Sequence, residues 1–229
     1  KDIIKFTDIP GEKISVIHLA AGEEFKPSNN ELKKKKVLRK YHLPEKFVLY
    51  VGDVTWNKNI PRLLHAFNNT DIPLVMVGKA LTQEQVDSSN VWNKDLVEAQ
   101  RLIAANKHVH ALGFVESDDL VTLINLATVF VFPSIYEGFG LPILEAMQCG
   151  TPVITTKESS IPEVAGDAAY YVDGYDGQSI LDGVTTLMHN EKLRKKFSRA
   201  GIKQAGNFSW RKTAKETIDV YKQVIGGSL

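Results

Sequence analysis

The sequence predicts an α/β fold in which a parallel sheet is covered by helices on both faces, and three observations point to it. Short apolar runs rich in β-branched and aromatic residues alternate with segments whose apolar residues recur at helical spacing, the order that parallel strands joined by crossover helices require. The run Ala127-Thr128-Val129-Phe130-Val131-Phe132 is stopped by Pro133-Ser134 and followed by an apolar stretch opening on Leu141-Pro142, so it reads as strand, loop and helix. A chain of 229 residues with 43% hydrophobic content can also bury a sizeable core.

Taken in order, Ile14-Ser15-Val16-Ile17 is expected as a short leading strand. Further strands are expected at 47–51, 74–77, 110–112, 129–132, 153–155 and 170–172. Helices are expected at 60–67, 91–105, 120–127 and 141–148, where the apolar spacing is helical. Ser117-Asp118-Asp119 offers the third of these an N-cap and an acidic first turn, which explains the aspartates without a metal. Pro142 suits a first helical turn, where its missing N–H costs nothing, and Gly150 after Cys149 suits the helix end. From residue 178 onward only helices are expected, at 178–188, 191–204 and 209–224. The last is capped by Ser209 and carries Ala214, Ile218 and Tyr221 on one stripe. No internal repeat or low-complexity tract is evident.

A formal net charge of +1 gives no reason to expect nucleic acid as a partner. One cysteine, Cys149, cannot form an internal disulfide and reads as a packed small residue, which fits a reducing compartment. No apolar run reaches membrane-spanning length and the start of the chain carries no signal-peptide pattern, so a soluble protein is expected. Lys33-Lys34-Lys35-Lys36 reads as a solvated helix face, with attraction to anionic lipid as the minority reading. His108 and His110 alternate on a strand without a third ligand at a supporting distance, and no Asp-x-Asp stands in a metal-binding context, so no metal and no other cofactor is expected. Trp56 and Trp92 are expected to pack.

The chemistry concentrates in Glu137-Gly138-Phe139-Gly140-Leu141-Pro142, with a second carboxylate at Glu145 eight residues after the first. The free N–H groups and dipole of a helix opening at Leu141 suit an anion such as phosphate, at the strand ends where ligands of open α/β sheets sit. Glu145, about one turn inside, is placed to accept two hydrogen bonds from a vicinal diol such as ribose. Gly138 and Gly140 let backbone approach a ligand without a Cβ in the way. Lys58, after the loop Gly52-Asp53-Val54-Thr55-Trp56-Asn57, brings a cation to a second helix start, where its bland alternative is an exposed helix-start lysine.

In these features the chain resembles the retaining glycosyltransferases of family 4, also called group 1, whose motif has the form Glu-x7-Glu. The resemblance runs from Ile17-His18-Leu19-Ala20-Ala21-Gly22 through Val51-Gly52, Val77-Gly78, Leu112-Gly113-Phe114 and Gly150-Thr151-Pro152-Val153-Ile154 to Phe208-Ser209-Trp210, nearly the whole chain. It implies one half of a GT-B architecture: residues 1–28 as interdomain linker with its short strand, 29–206 as a Rossmann-like nucleotide-sugar binding domain, and 207–229 as a terminal helix that packs back on an N-terminal domain absent from this chain. It further implies transfer of a hexose from a nucleoside-diphosphate sugar to a glycan or lipid-linked acceptor. GDP-mannose is the leading donor, ahead of a UDP-sugar, and the family's setting is polysaccharide or lipopolysaccharide biosynthesis in the cytoplasm, at the inner membrane face. Carried over residue by residue, Glu137 and Lys58 fall at the reacting centre. Gly52, Lys58, Gly78, Lys79, Phe114, Val115, Glu137, Gly138, Phe139, Gly140, Leu141 and Glu145 fall at the donor. The family's Arg after the first glycine is replaced by Asp53, which removes a positive charge from the diphosphate site and itself reads as a turn residue.

Two other classes stay open on the same residues. One is a sugar-nucleotide binding module without chemistry, the other a GT-B relative that hydrolyses or epimerises the donor. A redox dinucleotide-binding protein is disfavoured, because Val51-Gly52-Asp53-Val54 offers one glycine where Gly-x-Gly-x-x-Gly is needed.

Overall fold

The computed structural model describes residues 2–226. Its centre is a parallel six-stranded sheet made of β1 (Val48–Val51), β2 (Leu74–Val77), β3 (Val109–Ala111), β4 (Val129–Phe132), β5 (Val153–Thr155) and β6 (Tyr170–Tyr171), in the spatial order β3-β2-β1-β4-β5-β6. The order reverses between β1 and β4, where the connections leave in opposite directions and their loops part. Helices surround the sheet: α1 (Asp2–Thr7), α2 (Glu31–Lys40), α3 (Ile60–Ala66), α4 (Lys94–Ala105), α5 (Ser117–Leu126), α6 (Leu141–Gln148), α7 (Ile161–Ala165), α8 (Gly177–His189), α9 (Glu191–Ala205) and α10 (Trp210–Ile225).

The central strands are apolar at successive positions because both of their faces are covered. Leu49, Tyr50, Met76, Phe130, Phe132 and Ile154 are all fully buried. Each large apolar side chain so buried contributes about 1.5–3 kcal/mol. Threonines near the strand ends satisfy buried carbonyls: Thr155 Oγ1 donates to Phe132 O at 2.8 Å, and Thr156 Oγ1 to Ser134 O at 2.6 Å. Helices α8, α9 and α10 are capped by Asp176, Asn190 and Ser209, whose side chains accept from Gln178, Leu193 and Lys212 backbone N–H groups.

Several local expectations are corrected. Ile14-Ser15-Val16-Ile17 is not a strand, since it runs irregularly with no sheet partner among the described residues. β3 lies one residue earlier than expected, in register with β2 through Val75 and His110. Helix α5 begins at Ser117, so Glu116 holds the cap position and makes no side-chain cap bond. Asp118 and Asp119 instead pair with Lys33 and Lys40 of α2, which explains them without a metal. The expected helix at 91–105 opens with a 3-10 turn at Val91–Asn93, and Trp92 there is 82% exposed instead of packed. Trp56 is likewise more than half exposed.

Three glycine-bearing strand ends are laced edge to edge. Gly52 N donates to Val77 O at 2.9 Å and Gly78 N to Gly113 O at 3.0 Å. A Cβ on Gly78 would lie 2.1 Å from Gly52 O, a backbone atom that cannot swing aside. Gly78→Ala is therefore expected to destabilise the fold by about 1–3 kcal/mol, from overpacking. Denaturant unfolding checks this, and an unchanged midpoint would show that the strand ends are not packed this closely.

Candidate active site

The loops after β1 and β4 meet over the reversal point of the sheet. The first carries a 3-10 turn at Trp56–Lys58, then Asn59 in the left-handed region (φ 59, ψ 32), then α3 with Pro61 in its first turn. Asn tolerates this backbone conformation better than most residues. Buried Asn59 also fixes the loops, since its Nδ2 donates to Pro133 O at 3.1 Å and to Gly174 O at 2.6 Å. Asn57 ties the same loops at the surface: its Nδ2 donates to Tyr136 O and its own carbonyl accepts from Ile135 N, both at 2.8 Å.

This bracing brings Lys58 and Glu137 together from opposite sides of the reversal. Lys58 Nζ donates to Glu137 Oε1 at 2.6 Å, with side chains only 19% and 10% exposed, and the ammonium lies 5.0 Å from the Phe132 ring centre. A pair so withdrawn from water gives up hydration, and its attraction little more than compensates. Its plain consequence is that a cation and an anion are held at the mouth of the sheet, each able to exchange its partner for a ligand group.

Next to the pair, the chain turns into α6 through Gly140 at φ +107, a conformation that disfavours a side chain. The carbonyls of Glu137 and Phe139 face inward. Ser160 Oγ donates to both, at 2.9 and 3.2 Å, and Ser159 Oγ to Glu137 O at 2.8 Å. Among the described residues, the N–H groups of Gly138, Phe139, Gly140 and Leu141 have no acceptor. A Cβ on Gly138 would meet nothing within 4 Å, so the turn is open on its outer side. Four unpaired amides at a helix start beside a lysine form a place for oxyanions or hydroxyls.

Glu145 lies one turn further along α6, near the segment that carries Glu24. Gln148 of the same helix donates to Gly22 O at 3.0 Å, which keeps that segment in place. Burial, and secondarily the Glu24 carboxylate, push the Glu145 carboxyl from its ordinary 4.5 up to about 7.

The remaining sequence candidates divide by access. Gly52 and Gly78 stand at the ends of β1 and β2. Lys79 is exposed on a 3-10 turn at Lys79–Thr82, and Phe114 is 68% exposed. Val115 is buried, which leaves only its backbone to touch a ligand. The Phe139 ring is occupied by packing, with His18 and Phe208 ring centres 6.0 and 5.9 Å away. Asp53 makes a structural contact, its carbonyl accepting from the Tyr50 hydroxyl at 2.8 Å. Sequence reasoning missed Asn59, Ser159, Ser160 and Glu24. A signal existed for Asn59, an Asn two residues before the Pro of a helix start, whereas the serines act across a gap of more than twenty residues. Among the described residues no group of three or more His, Cys, Asp or Glu side chains is arranged for a metal, and His108 instead pairs with Asp71 at 3.1 Å. Cys149 is buried, and burial pushes its thiol up to about 12. Among the described residues no helix is long and apolar enough to cross a membrane.

Two loops meeting at the carboxyl ends of parallel strands, over the reversal in strand order, are where open α/β proteins bind their ligands. The chain matches the family of glycosyl transferases group 1 over residues 29–204, and it belongs to that family. Its fold is that of one half of a GT-B enzyme. O-antigen chain mannosyltransferase B of Escherichia coli is 34% identical over 228 residues, which cover 96% of this chain and 57% of that protein. A glycosyltransferase from Rickettsia africae ESF-5 shares the fold with a TM-score of 0.81 at 21% identity, over 99% of this chain and 61% of that one. The C-terminal domain of a glycosyl transferase group 1 family protein, LpcC, from Francisella tularensis shares it with a TM-score of 0.63 at 23% identity, over 82% of this chain and 97% of that domain. The chain therefore spans little more than half the length of its mannosyltransferase relative.

The raised Glu145 carboxyl makes stability depend on pH. Between about 4.5 and about 7 the folded chain keeps a proton that the unfolded chain has released, so stability falls as pH rises through that window and stays lower above it. Glu145→Gln removes the penalty. Without ligand, this variant is expected to melt higher than the parent at about pH 8, with the gap closing near pH 4. A gap that does not change with pH would show that the carboxyl is not shifted.

Proposed function

We propose that this chain is the donor-binding half of a retaining glycosyltransferase that moves a hexose, mannose by preference, from a nucleoside-diphosphate sugar to a glycan or lipid-linked acceptor. The observation that carries the reading is the Lys58–Glu137 pair set beside four unpaired backbone amides at the start of α6. A departing diphosphate needs positive charge and N–H donors fixed in advance, because a preorganised site stabilises developing charge without reorganising. Lys58 and the amides supply both. Glu137, released from Lys58 when phosphate arrives, accepts from hydroxyls of the sugar, and Glu145 as carboxylate accepts from the ribose diol. No enzymic nucleophile is needed in this scheme: an oxocarbenium-like sugar forms and the leaving phosphate takes the acceptor's proton on the same face. Phosphate charge is met by lysine, amides and helix dipole, so the donor is held without metal. The mannosyltransferase relative supports mannose as the sugar. An acceptor site supplied by a further domain, and activity at the cytoplasmic membrane face, complete the reading.

Calorimetric titration with GDP, UDP and ADP, each with and without chelator, tests it. One diphosphate is expected to bind in either condition. Glu145→Ala is expected to weaken that nucleotide by about 1–3 kcal/mol, the worth of charge-assisted hydrogen bonds. Glu137→Ala is expected to leave the nucleotide nearly unaffected while weakening the intact sugar nucleotide. Negligible losses at both positions would refute the assignment.

A further inference from the structure

On the other side of the Trp56–Lys58 turn lies a second concavity of about 680 Å³, within the size range of small-ligand sites, and neither Glu137 nor Glu145 lines it. Its walls carry Trp56, Asn59, Arg62, His65, Asp95 and Gln178. We infer that it binds an uncharged oligosaccharide, holding sugar units of a chain whose end lies at the reacting centre. That its end lies at the reacting centre, and its identity as acceptor or product, rest on the transferase reading.

The first support is aromatic. Trp56 is 56% exposed and stacks on Tyr136, which is 47% exposed, with ring centres 6.2 Å apart and planes 28° from parallel. Tyr175, 58% exposed, lies 5.8 Å beneath the Arg62 guanidinium. Large rings left in water forgo their burial energy, and flat amphipathic faces suit the C–H faces of pyranose rings.

The second is the polar complement. Arg62 Nη1 is engaged by Asn59 Oδ1 at 2.7 Å and Gly174 O at 3.3 Å, which fixes the guanidinium plane. Its Nε and Nη2 have no acceptor among the described residues, and Asp95 has no donor among them. Gln178 gives its Nε2 to Asp182 and keeps its carbonyl oxygen free. Rigid planar donors and acceptors beside a ring are what hydroxyl recognition requires. The lining holds one guanidinium and one carboxylate, so it favours neither anion nor cation, and His65 is turned to Glu98 at 3.3 Å. A diphosphate would find no net attraction here, whereas a neutral glycan would leave neither charge unpaired.

The third is continuity. Trp56 stands two residues before Lys58 and Tyr136 one before Glu137, and Asn57 locks the two loops together. A chain lying on the Trp56–Tyr136 platform thus passes from the concavity to the Lys58–Glu137 pair.

The test titrates the chain with α-linked mannotetraose, followed by NMR shifts of the Trp56 indole N–H and by calorimetry, with GDP titrated in parallel. The indole signal is expected to move saturably. Asp95→Ala with Gln178→Ala is expected to weaken mannotetraose by about tenfold while leaving GDP affinity unchanged, and Trp56→Ala is expected to abolish the heat of mannotetraose binding in calorimetry. If GDP binds and mannotetraose does not, or if the double variant binds mannotetraose as the parent does, this inference is overturned and the donor reading stands. If mannotetraose binds as expected and no nucleotide does, the concavity is upheld and the donor reading falls. Thermal unfolding of each variant separates lost binding from lost folding.

Discussion

The contact on which the site depends is the ion pair across the sheet reversal, Lys58 Nζ to Glu137 Oε1 at 2.6 Å. Its two residues are 79 positions apart and reach each other only because β1 and β4 are hydrogen-bonded neighbours. In a doubly wound sheet this is the one gap between strand ends not crossed by a connection. Charge placed in that gap adds little net stability, because the hydration that the two ions give up largely offsets their attraction. The surrounding packing makes it tolerable: apolar strands below, Asn59 and Asn57 clamping the two loops, and Phe132 beneath the ammonium.

The same logic accounts for the open amides. A helix start with unpaired N–H groups would be a defect in a buried place, but here it borders solvent and a cation. Ser159 and Ser160 engage the carbonyls of the turn, and its N–H groups have no acceptor among the described residues. The fold thus divides its labour. The core supplies rigidity, and the serines and asparagines supply orientation.

Helix α10 shows a related division. Ser209 caps it and Thr213 Oγ1 ties it to the segment before α2 through His18 O at 2.6 Å, yet none of its residues is buried. Ile218 and Tyr221, placed on one stripe by the helical period, are half exposed or more. Periodicity alone can tell that such a stripe exists. Among the described residues nothing buries it.

By itself the sequence determined the alternation of strands and helices, because apolar period and β-branched runs are local properties, and it located the central strands β1, β2, β4 and β5 within a residue. It also marked Glu137, the glycine turn and Glu145, since eight residues and a helix start fix their spacing without help from the rest of the chain. It failed where a local preference was overruled or had no partner. Ile14-Ser15-Val16-Ile17 has strand-like residues but no neighbouring strand to pair with among the described residues, and Trp56 and Trp92 are apolar but not inside. Only the tertiary structure decided that Lys58 faces Glu137, that Glu24 lies near enough to raise Glu145, and that serines from the β5–α7 connection orient the turn. Those are contacts between distant segments, set by the strand order, and strand order comes from the packing of the whole sheet.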